Sequence, residues 1–175
     1  SNVTNMSYMF SQSKLTSVDL GKWNTSNVTT MNGTFDSSQL TSVDLSQWNT
    51  SNVTDMSSMF TYSQLTSVGD LGKWNTSKVT TMDGMFQGSQ LTSVGDLSKW
   101  NTSNVTNMNT MFMSSKLTSV GDLGKWNTSN VTDMGWMFGY SQLTSVDLSQ
   151  WNTSNVTDMG SMFYGSKLTS VGDLS

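Results

Sequence analysis

Chemistry in this chain would have to come from Ser, Thr, Asp, Asn and Lys, because the sequence contains no Cys, His, Glu or Arg. A Ser–Lys pair or two facing carboxylates are the remaining routes to nucleophilic or general acid–base catalysis. Both residue types are plentiful, with 12 acidic and 8 basic side chains, all Asp and all Lys. They recur at regular intervals, however, whereas an active site is a unique constellation in a pocket. No glycine-rich phosphate loop is present. The sequence therefore argues against an enzyme and implies no cofactor. The most conspicuous charge feature is an Asp column formed by Asp19, Asp44, Asp70, Asp96, Asp122, Asp147 and Asp173. Carboxylates stacked one strand apart repel. Calcium, which takes carboxylate oxygens, is one remedy and makes these residues a weak candidate metal column. The plainer remedy is a solvated face with loose pairing to Lys22, Lys73, Lys99 and Lys125, Gln47 and Gln150 standing in the gaps.

The elements that position these residues are repeats. Units begin at Ser1, Ser26, Ser51, Ser77, Ser103, Ser129 and Ser154, giving seven copies of 25 or 26 residues. Such a period marks a stacked array in which no unit can bury its apolar face alone. The longer units carry an added Gly before the Asp, as in Gly69-Asp70 against plain Asp44, which reads as a local bulge. Within Ser51–Thr76, Leu65, Val68 and Leu71 form the extended, inward-facing part. A turn leads to Trp74, and a second short extended segment follows at Val79. Met56, Met59 and Phe60 obey the i, i+3, i+4 rule, which predicts one helical or 3-10 turn per coil. Nearly all Val, Leu, Met, Phe and Trp residues fall in eight repeated columns, so one core runs the length of the array. The fold expected is an all-β-rich solenoid over residues 1–175, leucine-rich-repeat type and right-handed, with one or two short strands per coil. At about 4.8 Å per coil the rod is roughly 34 Å long. The Asn column from Asn24 to Asn152, flanked by Thr and Ser, is expected to hydrogen-bond from coil to coil.

The sequence LTSVDLSQWNTSNVTDMSSMF (Leu40 to Phe60), with a version in every unit, resembles the 26-residue repeat of bacterial surface proteins related to BspA-like leucine-rich-repeat adhesins. The resemblance implies a solenoid displayed on a bacterial surface, binding a host epithelial surface, mucin or an extracellular-matrix glycoprotein, without catalytic residues. Where relatives often carry Cys, this chain has Ser13, Ser38, Ser63, Ser89, Ser115, Ser141 and Ser166; each hydroxyl is expected to find a backbone partner. The alternative function is a structural stalk that carries another binding domain.

The net charge of −4 and the lack of Arg argue against nucleic acid. No apolar run approaches the ~20 residues of a membrane span, so no membrane insertion is expected. The chain opens and closes within the pattern and lacks a divergent capping unit, which reads as a fragment of a longer array, monomeric or weakly stacked end to end. Six apolar residues fall outside the eight columns: Tyr8, Tyr62, Met113, Trp136, Tyr140 and Tyr164. Trp136 and Tyr140 are four apart, with Met113 and Tyr164 in the adjoining coils. They form the candidate partner-binding patch, against the plain reading of drift at solvent-tolerant turns.

Overall fold

The computed structural model describes residues 2–173. Consecutive repeats lie one on another in parallel. A single ladder position, Asn5–Thr30–Asp55–Thr81–Asn107–Asp133–Asp158, is bridged through all seven units. A second set of parallel bridges joins Ser42 to Ser67 and Ser145 to Ser170. Pairing is confined to these isolated positions among the described residues, because the chain turns again before a ladder can lengthen.

The Met-x-x-Met-Phe segment shows why. In the first unit the amides of Met6, Tyr8, Phe10 and Gln12 donate to carbonyls of the next unit (Thr30, Asn32, Thr34 and Asp36) at 2.8–3.1 Å. The intervening amides of Met9, Ser11 and Ser13 close local turns onto Met6, Tyr8 and Phe10. Alternate amides thus serve the stack and the coil. A helix needs every amide directed along its own axis, so the expected helical turn does not form here. The backbone instead enters the left-handed region twice per unit, at Ser58 and Tyr62 in the third unit and at Trp136 and Tyr140 in the sixth. Among the described residues three 3-10 turns do occur, elsewhere, at Leu71–Lys73, Leu97–Lys99 and Leu123–Lys125. Each begins at a capping Asp whose carboxylate accepts from the amide two residues on. Each also follows an added Gly at φ +77° to +86° (Gly69, Gly95, Gly121). The expected bulge is therefore a left-handed glycine that feeds a capped turn.

The eight apolar columns form one continuous core from Met6 to Met162. The Phe column stacks nearly parallel from Phe10 to Phe163, with ring centroids 5.5–5.9 Å apart, the offset arrangement aromatic rings favour. A Trp column runs beside it: Trp74, Trp100, Trp126 and Trp151 stack at 6.3–6.5 Å. Burying indole requires a partner for its N–H. Each finds one in the preceding unit, Trp100 donating to the Leu71 carbonyl at 2.9 Å and Trp126 to Leu97 at 2.9 Å. The ring thus fills the core and clips one unit to the next.

The polar columns divide the work differently from expectation. The Asn column that includes Asn75 and Asn101 acts locally, its side-chain oxygens accepting from the amides of Ser77 and Ser103 at 3.0 Å. Coil-to-coil bonding falls to the buried Thr column, where Thr76 donates to the Asn101 carbonyl and Thr102 to Asn127. It falls also to exposed Thr54, Thr80 and Thr106, which donate back to the preceding unit, and to Asn104 and Asn130, which donate to the carbonyls of Ser77 and Ser103.

Candidate functional site

The Asp column is built from Asx-type turns. Asp44, Asp70, Asp96 and Asp122 each accept the amide two residues on at 2.9–3.1 Å, as do Asp19 and Asp147. Ser46 hydroxyl and amide hold the Asp44 carboxyl below its ordinary range. Ser98 does the same for Asp96, and the amide and hydroxyl of Ser149 for Asp147. The pairing with Lys is sparse: among the described residues one salt bridge forms, Lys125–Asp122 at 3.8 Å, between exposed side chains. No three carboxylates among the described residues gather as a metal-holding group. Each carboxylate of this column from Asp19 to Asp147 is turned toward its own backbone.

A second acidic position has the opposite character. Asp83, partly buried in the turn edge, is held above the ordinary carboxylate range, chiefly by desolvation and also by Asp133 and Asp55, while its hydrogen bond from Thr110 opposes the rise. The two groups act oppositely on stability. Lowered carboxyls (Asp44, Asp96, Asp147) favour the fold above the ordinary Asp pKa, and that contribution is lost as pH falls through their folded values. Asp83 disfavours the fold when ionised and is relieved when protonated. Replacing Asp83 with Asn, the residue at the same position in two other units (Asn32, Asn109), is expected to raise stability at pH 7. It should also make the loss on acidification steeper. Urea midpoints at pH 7 and pH 3.5 for both proteins check this; an unchanged midpoint at pH 7 contradicts it.

The six irregular apolar residues fall into two features, and five of them join one surface. The first is a rule for tyrosine. Tyr8 lies over Gly33 of the next unit and Tyr62 over Gly88. Tyr140 lies over Gly165, where an added Cβ would come within 2.6 Å of the ring. In each pair both residues are left-handed: Tyr8 and Gly33 at φ 56° and 58°, Tyr62 and Gly88 at 49° and 61°. A bare glycine gives the ring a seat, and the ring covers the exposed backbone, as aromatic residues do over edge glycines. Tyr8 stands apart from the others, two units from Tyr62.

The second feature is a cluster. Trp136, Tyr140 and Tyr164 meet with centroids 5.4–6.3 Å apart, the Tyr164 ring edge-on to both. Desolvation and Tyr164 together push the Tyr140 phenol above its usual value. The two tyrosines remain 46% and 57% exposed. Trp136 and Met113 are half-buried, meeting across Gly139, which an added Cβ would bring to 2.9 Å from the indole. From Met113 the surface continues to Gln87, whose amide lies 3.8 Å from the Met113 sulfur and 3.3 Å from the Tyr62 hydroxyl. Met113, Trp136, Tyr140, Tyr164 and Tyr62 thus join one stripe on the turn edge of units three to seven, with Gln87 as the link that sequence reasoning missed. Trp136 and Tyr140 meet on a left-handed turn and not on a helical face.

Trp136 has no glycine beneath it; the next unit places Ser161 there. A bulky residue at φ 56° is strained, and units two and four use Gly33 and Gly84 at the same position. The same left-handed position is held by Tyr8, Ser58, Thr110 and Ser161 at φ 53–56°, so the strain belongs to the repeat and is not peculiar to this unit.

The two ends of the stack expose core side chains. Leu148, Trp151, Met159, Met162 and Phe163 line an open depression of about 510 Å³ at one end, and Val3, Met6, Met9 and Trp23 line a smaller one of about 120 Å³ at the other. No helix among the described residues is long and apolar enough to cross a membrane.

The chain matches the family described as "Mycoplasma protein of unknown function, DUF285" twice, over residues 1–91 and 62–172. The chain belongs to this family, and the overlapping matches follow its tandem repetition. No curated protein and no solved structure matches it.

Proposed function

With that membership as the starting point, we propose that this chain is a non-enzymatic binding and display module of a bacterial surface adhesin. Its architecture is a right-handed, leucine-rich-repeat-type solenoid related to BspA-like repeats. Its partners are a host epithelial surface, mucin or an extracellular-matrix glycoprotein. The observation that carries this reading is the ring cluster Trp136–Tyr140–Tyr164 on the turn edge, with both tyrosines exposed. Tyr and Trp offer large contact area at low entropic cost and are the usual anchors of recognition. Repetition adds avidity when several copies of a surface engage together. The L-x-x-V-x-L spacing and the parallel bridging at Ser42–Ser67 support the leucine-rich-repeat assignment.

A second reading is a stalk that holds another domain outward, favoured by the near-identity of the units, since a spacer needs length and little else. Binding of the protein to epithelial cells and to immobilised mucin separates the two. A variant with Trp136, Tyr140 and Tyr164 changed to Ser runs alongside. Binding by the parent and loss in the variant is the expected result. No binding by either protein would favour the stalk and sink the adhesin reading.

A further inference from the structure

We infer that the turn-edge stripe from Tyr62 to Tyr164 is a binding site for a neutral oligosaccharide. This rests on the adhesin reading and narrows it to a ligand class.

The argument starts from what lines the stripe. A sugar ring presents an apolar C–H face and an edge of hydroxyls, so its receptor needs flat apolar platforms beside hydrogen-bonding groups. Both are present. Tyr164, Tyr140 and half-buried Trp136 supply the platforms at one end, and Tyr62, 54% exposed, supplies one at the other. Between them the surface is low and polar. The Gly84 backbone is ringed by the Gln87 side-chain oxygen and the hydroxyls of Ser58 and Thr110, which a Cβ there would meet at 3.3–3.5 Å. Thr110 in turn donates to Asp83 at 3.4 Å. Asn109 donates to Asp133 at 3.0 Å beside Gly135, whose added Cβ would meet the Asn109 amide at 2.9 Å. Amides and hydroxyls of this kind both donate to and accept from sugar hydroxyls, and the carboxylates accept from them.

The shape favours a chain over a single sugar. Tyr62 and Tyr164 belong to units three and seven, and four steps of about 4.8 Å separate them by roughly 19 Å. The charge favours a neutral one. No Lys belongs to the stripe, and Asp83 and Asp133 would repel a sialylated or sulfated glycan. The Tyr164 ring stands edge-on to Trp136 and Tyr140, which lie within 25° of parallel, and both tyrosines are exposed.

The test is saturation-transfer NMR and calorimetric titration of the protein with cellohexaose and chitohexaose, with a sialylated oligosaccharide as the charged comparison. Two variants use residues already present at the same position in sibling units: Trp136→Ser (as Ser58 and Ser161) and Tyr164→Thr (as Thr61). Circular dichroism and the thermal midpoint establish that they fold. The expected result is binding of at least one neutral hexasaccharide at millimolar concentration or below, with the sialylated one weaker. Each variant should bind roughly tenfold less tightly. Absence of binding to both neutral hexasaccharides, or equal affinity in folded variants, overturns the inference. Mucin stripped of its glycans separates the two readings: if the protein still binds it through Trp136, the adhesin reading stands and the saccharide inference fails.

Discussion

Trp100→Ala lowers the stability of the protein by about 3–5 kcal/mol, the range for removing a large buried aromatic side chain. Trp100 is 3% exposed and touches four partners at once. It stacks on Trp74 and Trp126 at 6.5 and 6.3 Å, lies 6.4 Å from Phe86, and donates its indole N–H to the Leu71 carbonyl. Removing it damages two unit–unit interfaces near the middle of the stack. In a one-dimensional array, each unit draws its stability from its neighbours. The transition should therefore broaden as the two halves uncouple, as well as shift. Trp100→Phe keeps a ring and loses the indole bond, so its cost should be nearer 1–2 kcal/mol. Trp23→Ala, at a ring already 37% exposed, should cost less than Trp100→Ala. Urea unfolding followed by circular dichroism reads all three. Equal losses at Trp23 and Trp100 would contradict the stacked account.

Replacing Ser63, Ser89, Ser115 and Ser141 together by Ala stabilises the protein. These hydroxyls are fully buried and have no hydrogen-bond partner. A buried polar group without a partner costs about 1–3 kcal/mol, so removing four should gain about 1 kcal/mol at each site even after the small loss of packing. Cys at the same sites fills more volume with a weaker donor and should stabilise at least as well. Ser38 provides a contrast of opposite sign. It is equally buried, but its oxygen accepts the Leu40 amide at 3.1 Å, so Ser38→Ala should destabilise by about 1 kcal/mol. Thr34 shows that the stack can satisfy a buried hydroxyl where geometry permits: it stands in a Met column and lies 2.8 and 3.1 Å from the carbonyls of Met31 and Met6. A quadruple variant with a lower denaturation midpoint than the parent would contradict the assignment.

These serines mark one boundary of what the sequence reveals. That position 13 of each unit faces inward is legible from its regularity. Whether the hydroxyl there meets a backbone amide depends on the local geometry of each turn. Ser13 and Ser38 accept from Leu15 and Leu40, and four later copies do not. The period and the apolar columns were legible because a core built by repetition writes itself into every unit. The added glycine was legible for the same reason. The form of the Met-x-x-Met-Phe turn was not legible, because apolar spacing of three and four fits a helix and also fits linked turns with left-handed corners. The discriminating signal was present in the variable positions. Gly33 and Gly84 share a column with Trp136, and Gly88 and Gly165 share one with Tyr140, columns where glycine alternates with almost anything. The pairing of each such tyrosine with glycine one unit later was also readable, at spacings of 25 and 26. The Asn column misled because an aligned amide suggests a ladder, whereas the residue two places on offers a nearer amide. The aromatic patch was legible because it lies where the units differ. Its link to Tyr62 through Gln87 was not, since a glutamine among turn residues carries no pattern.

The central claim is that recognition belongs to the turn edge and not to the repeated polar columns. Hydroxyl-radical footprinting of the protein bound to immobilised mucin tests it most directly. The account predicts protection concentrated on Trp136, Tyr140 and Tyr164, extending through Met113 to Tyr62, with Tyr8 reacting as in the free protein. Protection at Tyr8 equal to that at Trp136, or none at the turn edge while binding persists, would contradict it.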